Sequence, residues 1–244
     1  MPEAAETGRF SEPIAHRGAP SRAHRAPNGH GGQAWPATDR ARNELGYEVA
    51  KRAFDITFAL ALAAVLAPVW ITAAVLVKLT SPGPVLFRQR RCGRNGRTFE
   101  FYKFRTMVDG AEGMKADLLH LNEVDGPVFK MRNDPRVTWV GRWLRRASID
   151  EVPNLINVVQ GHMSVVGPRP PVPQEVALYR PRDLQRLSVK PGLTCLWQVS
   201  GRSTVGFDQW MELDLAYIRS RSFWLDLMIV VRTVPAVLRG TGAS

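Results

Sequence analysis

The sequence predicts an α+β fold, mostly α, held monotopically in a membrane by a re-entrant helix-break-helix and carrying a small β-hairpin. Three features predict it. Residues 56–77 run for 22 positions without a charge, ITFALALAAVLAPVWITAAVLV. Residues 85–90 and 98–104 are strand-like and flank Asn95-Gly96, a dipeptide suited to a type I′ turn. Beyond residue 108, short helix-like stretches alternate with turns rich in Gly, Pro and Asp.

The uncharged run comes first. As a straight helix it would measure about 33 Å, enough to cross a hydrocarbon core of about 30 Å. A buried core helix is the alternative, but one of this length ordinarily keeps a polar face. Pro68 sits near the middle, where it removes a rung of the hydrogen-bond ladder and bends the axis. Arg40, Arg42, Lys51 and Arg52 precede the run; Lys78, Arg88, Arg90, Arg91, Arg94 and Arg97 follow it. Basic flanks stay on the cytoplasmic side, and both can do so only if the segment, taken as 54–78, enters and leaves by one face. Backbone freed at the bend needs partners at membrane depth, and Thr72 offers a hydroxyl. Asp55, at the mouth, is expected to pair with Lys51 or Arg52.

Residues 1–45 are rich in Ala, Gly, Pro, Arg and His without apolar periodicity, and read as a disordered cytoplasmic tail. They carry no apolar stretch of the kind a secretory signal needs. Residues 46–244 form the domain. Thirty-three Lys and Arg against 22 Asp and Glu leave a formal charge of +11, which implies an anionic partner: nucleic acid, anionic lipid or a phosphorylated substrate. Cys92 and Cys195 have no metal-ligand spacing and read as free thiols. Without a His cluster zinc is disfavoured; a metal held by carboxylate and phosphate oxygens would be magnesium.

Ser81-Pro-Gly-Pro84 turns the chain out of the membrane. Residues 85–107 then hold seven basic residues and one acid, Glu100, interleaved with Phe87, Phe99, Phe101, Tyr102 and Phe104. Beside a membrane segment this favours lipid headgroups and a phosphorylated ligand over nucleic acid. Lys103, Arg105 and Thr106 can all donate to phosphate oxygens. A helix is expected over 111–121, and turns at 125–127 and 133–135. In the basic segment 137–146, Trp139 and Trp143 share a helical face, either at headgroup level beside Arg142 and Arg145 or in the core. Helices are further expected over 175–187, 207–218 and 223–238, the last with an apolar face (Leu227, Met228, Val231, Val234, Leu238) suited to a membrane interface or to the protein core.

The chain is organised around SIDEVPNLINVVQG, 148–161, followed by HMSVVGPRP, 162–170. Ser148 and Glu151 have capping-box spacing, which would put Asp150 and Glu151 in the first helical turn. Pro153 argues for a later start at itself, with the acids just outside. Leu155, Ile156, Val158 and Val159 would bury the helix and Gly161 end it. The stiff Gly167-Pro168-Arg169-Pro170 turn fixes a guanidinium that suits phosphate. An acid pair at a helix start is most often a solvated terminus. Here it stands with fixed arginines and a membrane segment, and without a His base. That combination suggests phosphoryl chemistry at a membrane surface, with a carboxylate that attacks or positions.

Six stretches in order, K51RxFD55, S81PGPVLF87, Y102KFRTM107, S148IDEVPN154, G161HMSVVGPRP170 and K190PGLTCLWQVSGR202, resemble the bacterial sugar transferases, the monotopic phosphoglycosyl transferases. The resemblance covers residue 50 to the C-terminus and implies a reaction. A sugar 1-phosphate passes from a UDP-sugar to polyprenol phosphate, giving a polyprenyl-diphosphate sugar and UMP. The site would be the cytoplasmic face of the bacterial inner membrane, at the start of glycan assembly. It implies Asp150 as the nucleophile that carries the phosphosugar, Glu151 as its partner supporting Mg²⁺, and Arg169 as a phosphate ligand. Lys103 and Arg145 would be further basic groups of the site, beside Arg105 as the phosphate donor read above, and Asp214 and Asp226 acids near it. Pro68 would be the membrane break. Two positions depart from the pattern: Ala67 precedes Pro68 where Ser is common, and Cys195 stands where Gly is usual. The stretch 121–130 looks like the exopolysaccharide branch, which handles glucose or galactose. Partners implied are the UDP-sugar, polyprenol phosphate and membrane lipids, with no nucleic acid and a homodimer left open. The competing reading is a non-enzymatic, membrane-anchored basic protein that binds anionic lipid, its acids merely capping a helix.

Overall fold

The structure, a computed structural model, describes residues 41–200 and 206–238. The expected tail lies outside them except for its last five residues, as do Arg40, the Gly201-Arg202 end of the sixth stretch, and Arg239. The first helix, α1, spans Ala41–Thr80 and contains the whole uncharged run. Only 11% of its most apolar window is buried, and Leu60, Val65, Ile71 and Leu79 are each more than half exposed. A core helix would bury those side chains, so that alternative falls. Among the described residues α1 is the one helix long and apolar enough to cross a membrane.

The helical assignment continues through Pro68, so the expected break does not separate two helices. Thr72 Oγ1 donates to the Pro68 carbonyl at 2.9 Å. The carbonyl that Pro68 itself leaves without a donor lies four residues back, so the hydroxyl does not fill the role expected of it. Both ends of α1 pack on the same body. Before Pro68, Ala59 joins a core of Phe99, Phe101, Leu155, Val158, Met163, Val165 and Ile229. Near the end, Ala73 and Val77 join Phe104, Val140 and Leu144. Asp55 does not pair with Lys51 or Arg52: it accepts from Ser164 Oγ and Val165 N, both at 2.9 Å, while Arg52 holds the Val158 and Val159 carbonyls.

Strands β1, Leu86–Cys92, and β2, Thr98–Phe104, form an antiparallel hairpin in which Phe87, Gln89 and Arg91 face Lys103, Phe101 and Phe99. Directly opposed residues share a sheet face, so Arg91 and Lys103 lie on the same side. Asn95 and Gly96 both take positive φ, 57° and 73°, as a type I′ turn requires. The strands begin pairing one step further out, at Cys92 and Thr98, so β1 extends two residues past its expected end.

Thr138 caps α2, Trp139–Arg146, by accepting from Gly141 N at 2.9 Å. Trp139 and Trp143 are 63% and 68% exposed, which removes the core alternative. Three later elements differ from expectation. Residues Gly113–Leu121 form 3₁₀ turns. The expected helix over 175–187 is split into α4, Pro173–Val176, and a 3₁₀ segment, Asp183–Ser188; Pro181 between them cannot carry a helical ladder. Of the two starts open for the central helix, the later one is nearer: α3 spans Leu155–Gln160, and the acids lie ahead of it on a 3₁₀ segment, Ile149–Asn154. Ser148 makes no side-chain cap there and sits in the left-handed region, so the capping box fails. Of the four apolar residues assigned to the helix core, Leu155 and Val158 are buried, whereas Val159 is 39% exposed. Gly161 ends α3 with φ 84°.

Strands β3, Ser164–Val166, and β4, Gly192–Thr194, pair in parallel. Side-chain carbons would not fit at their crossing: a Cβ on Gly192 would lie 2.1 Å from Gly167 N. Short α5, Leu196–Val199, then α6, Phe207–Ser220, and α7, Phe223–Leu238, complete the body. α7 buries Ile229 and Asp226 and leaves Trp224, Val231 and Val234 more than half exposed.

Candidate active site

A cleft of about 890 Å³ runs between the hairpin, the acid segment and the Pro-Arg-Pro turn. Its wall is set by polar ties. Asn154 Oδ1 accepts from Tyr102 N at 3.1 Å, and Asn157 Nδ2 donates to Glu100 O at 2.7 Å. Both asparagines are buried. They fasten the acid segment to β2 and bring Lys103 to Glu151. The Gly167/Gly192 crossing aims the turn so that Arg169 meets Glu151 from the other side. Gly141 lets α2 lie directly on the Thr106 carbonyl, where a Cβ would come within 2.0 Å. One turn on, Arg145 Nε donates to Thr106 Oγ1 at 2.9 Å.

The two neighbouring acids live in opposite environments. Glu151 Oε1 accepts from Lys103 Nζ at 2.8 Å and Arg169 Nη2 at 2.5 Å, and Oε2 from Arg169 Nη1 at 3.0 Å. Burial pushes its pKa up, but the charges of Arg169 and Lys103 outweigh that and hold it well below the usual range. Glu151 in turn raises Arg169, while burial lowers Lys103. Asp150 is 6% exposed and makes no hydrogen bond or ion pair among the described residues. Its oxygens are nonetheless not sealed off. Burial, with Glu151 adding, pushes its carboxyl up to about 6 against the pull of Lys103, Arg145 and Arg169. A buried carboxylate that nothing satisfies is costly, and such groups concentrate where chemistry is done.

Six of the expected site residues therefore line one cleft: Lys103, Arg105, Arg145, Asp150, Glu151 and Arg169. Arg105 is turned to a structural task, its Nη2 donating to Ser81 O at 2.7 Å and Ser81 Oγ at 2.8 Å. Asp214 lies behind the wall. It pairs with Arg186 at 2.6 Å, and Arg186 Nη2 reaches the Arg169 carbonyl at 3.0 Å; burial pushes Asp214 up to about 6. Asp226 is elsewhere, bound to Lys51 at 2.7 Å, Tyr217 at 2.7 Å and Tyr47 at 2.9 Å. Arg91 and Arg186 line the cleft without having been singled out. The alternation of β1 against β2 was the signal available for Arg91. Nothing local marks Arg186. Cys92 and Cys195 are free and buried.

Of the two acids, Asp150 has unbonded oxygens that could take a divalent cation, whereas both Glu151 oxygens are held by Lys103 and Arg169. No group of three metal-ligating side chains occurs among the described residues. Magnesium held by one or two carboxylates, with water and substrate phosphate completing its shell, fits that donor set.

A family model described as bacterial sugar transferase matches residues 46–240. The chain is 45% identical over 197 residues to a galactosyl transferase CpsE of Streptococcus agalactiae, covering 80% of this chain and 44% of that one. It is 40% identical over 199 residues to the exopolysaccharide production protein ExoY of Rhizobium meliloti, with 80% and 88% covered. It is 44% identical over 204 residues to a UDP-glucose:undecaprenyl-phosphate glucose-1-phosphate transferase of Caulobacter vibrioides, with 80% and 72% covered. The chain thus spans most of ExoY and less than half of CpsE.

Proposed function

The chain belongs to the bacterial sugar transferase family, and from that premise we propose that it transfers a hexose 1-phosphate from a UDP-sugar to polyprenol phosphate. The products are polyprenyl-diphosphate hexose and UMP. The observation that carries the proposal is Asp150: a buried carboxylate, unbonded yet accessible, beside a clamped Glu151 and flanked by cations. An Asp Oδ bonds to the sugar-bearing phosphorus, and the bond from that phosphorus to the bridging oxygen breaks. UMP leaves with the electron pair. An oxygen of the acceptor phosphate then attacks the same phosphorus and frees Asp150. Carboxylate nucleophiles of this kind form acyl phosphates elsewhere.

Each neighbour has a task. Glu151 holds Lys103 and Arg169 in place, and these with Arg145 neutralise phosphate oxygens as charge moves across them. Magnesium, held by Asp150 and by substrate phosphate oxygens, would add further neutralisation of phosphate charge. The hexose is glucose or galactose, as the names of the relatives suggest, and the step opens exopolysaccharide assembly.

We place the reaction at the cytoplasmic face of the inner membrane, with α1 re-entrant about Pro68. Three features support this. The stretches of α1 before and after Pro68 rest on one body, which cannot sit on both sides of a bilayer. The middle of α1 is exposed and apolar. Trp139, Trp143 and Trp224, all exposed, suit the headgroup level.

The test is UMP release from UDP-glucose and UDP-galactose with polyprenol phosphate and Mg²⁺, by the unsubstituted chain and Asp150→Asn in detergent. Release that requires lipid and vanishes with Asp150→Asn is expected. Equal release by the variant removes Asp150 as nucleophile. No release from either sugar returns the protein to a lipid-binding anchor.

A further inference from the structure

Arg91 projects from the last full turn of pleat in β1, on the sheet face it shares with Lys103. Its guanidinium is fixed on two sides: Nε donates to Gln89 Oε1 at 2.9 Å and Nη1 to Pro170 O at 2.8 Å. It also lies over the Phe101 ring, 5.3 Å from the centroid. Nη2 is accessible and bonds to none of the described residues. Among the described residues no carboxylate forms an ion pair with Arg91. The charges that face it are Arg169 first, which repels it, then Glu175 and Glu151. Burial, with Arg169 adding, brings its pKa down to about 10, so it stays charged at neutral pH. Glu151 is already taken up by Arg169 and Lys103. A rigid cation set against another cation in a shared cleft is an unfavourable arrangement until an anion lies between them.

The opposite flank of the acid pair repeats the pattern. Among the described residues Arg145 uses only Nε, on Thr106, and makes no ion pair with a carboxylate. The charge that acts on it most is Asp150. The cleft therefore presents one spare guanidinium on the Asp150 side and one on the Arg169 side. A nucleotide sugar carries two phosphates, and the reaction gives each a different fate. The one attacked by Asp150 must lie near Asp150 and Arg145. The other leaves as UMP and gains negative charge as it does.

Resting on the transferase reading above, we infer that Arg91, together with Arg169, holds the phosphate of the departing nucleotide. Arg91 is then a substrate-binding residue whose contact strengthens as the bridging bond breaks, which favours the transition state over bound substrate. Its bond to Pro170 O ties that contact to the turn carrying Arg169.

The experiment is calorimetric titration of UMP into the full chain in detergent, with Asp150→Asn as reference and Arg91→Gln or Arg91→Lys added to it. Arg91→Gln should weaken UMP binding about tenfold, and Arg91→Lys, which keeps the charge, should recover it to within about threefold. With Asp150 intact, Arg91→Gln should leave the KM for polyprenol phosphate within about twofold of the unsubstituted chain. Unchanged UMP affinity overturns the inference, as does absence of UMP binding in the reference. A parallel loss of UMP affinity and acceptor KM means that Arg91 merely props the turn. A change in acceptor KM alone assigns it to the lipid phosphate instead. The titration needs no turnover, so the two failures are distinct: a chain that releases no UMP from UDP-hexoses defeats the transferase reading and this role with it, whereas unchanged UMP affinity in a chain that turns over defeats this role alone.

Discussion

Among the buried charged clusters of the described residues, the one around Asp226 and the one around Asp150 differ most. Around Asp226, every polar atom is answered. Oδ1 accepts from Tyr217, Oδ2 from Lys51 and Tyr47, and Lys51 Nζ also donates to Val166 O at 3.0 Å. The void beside Lys51 amounts to about 20 Å³, about the room of one water. Around Asp150, cations are at hand but none bonds to it, and the space in front is about 890 Å³. The first cluster closes α7 and the start of α1 onto β3. The second holds an open carboxylate ready for something that must come from outside. Charge and burial alone do not distinguish a working site from a structural one; unmet bonding and room for a ligand do.

That contrast can be broken or sharpened. The largest effect expected is at Asp150: Asp150→Asn should lower UMP release about a thousandfold or more while leaving the thermal transition near that of the unsubstituted chain. A loss of folding in place of chemistry would make the two clusters alike. At the closed cluster the outcome should invert. Lys51→Met strands Asp226 in the interior, and removing one partner of a buried pair costs about 3–5 kcal/mol. Denaturant unfolding should show that loss, with turnover per folded molecule largely kept.

The pH profile is the next smaller effect. As the proposed nucleophile Asp150 would attack only when ionised, and burial has pushed its carboxyl up to about 6. Below that value the protonated form dominates. The single-turnover rate of UMP release should therefore drop about tenfold per pH unit on the acid side and level off above it. A flat profile down to pH about 4 would mean that the carboxylate is better solvated than the geometry allows. The smallest effect is at Thr106, whose hydroxyl accepts from Arg145 Nε at the cleft wall. Thr106→Val removes the hydroxyl that orients Arg145 and should reduce the rate about five- to tenfold, with no change in stability beyond about 1 kcal/mol.

Much of this was legible in the order of residues, wherever the physics is local. The hairpin followed from two alternating runs around Asn95-Gly96, because those residues accept the positive φ that the turn requires. Gly161 ended α3 for the same reason. Misreadings came where a local signal met a competing one. Ser148 and Glu151 have capping-box spacing, but Pro153 keeps the segment out of an α-helix, so Ser148 caps nothing. The stretch 175–187 has helical composition, yet Pro181 divides it.

By itself the sequence determined what depends on neighbours along the chain: an apolar run too long and too uncharged for a core, the hairpin, a stiff turn carrying Arg169, and two acids in sequence. Tertiary structure alone decided which charges meet. Asp214 and Asp226 looked equivalent, each an acid on a late helix; packing sent one behind the Arg169 turn and the other to Lys51 at the head of α1. Asp150 and Glu151 are adjacent in sequence, yet Lys103 and Arg169 close on one and leave the other open. Such differences arise from contacts between residues far apart in the chain, where a desolvated charge is either answered or left exposed to a ligand, and spacing along the chain carries no record of them.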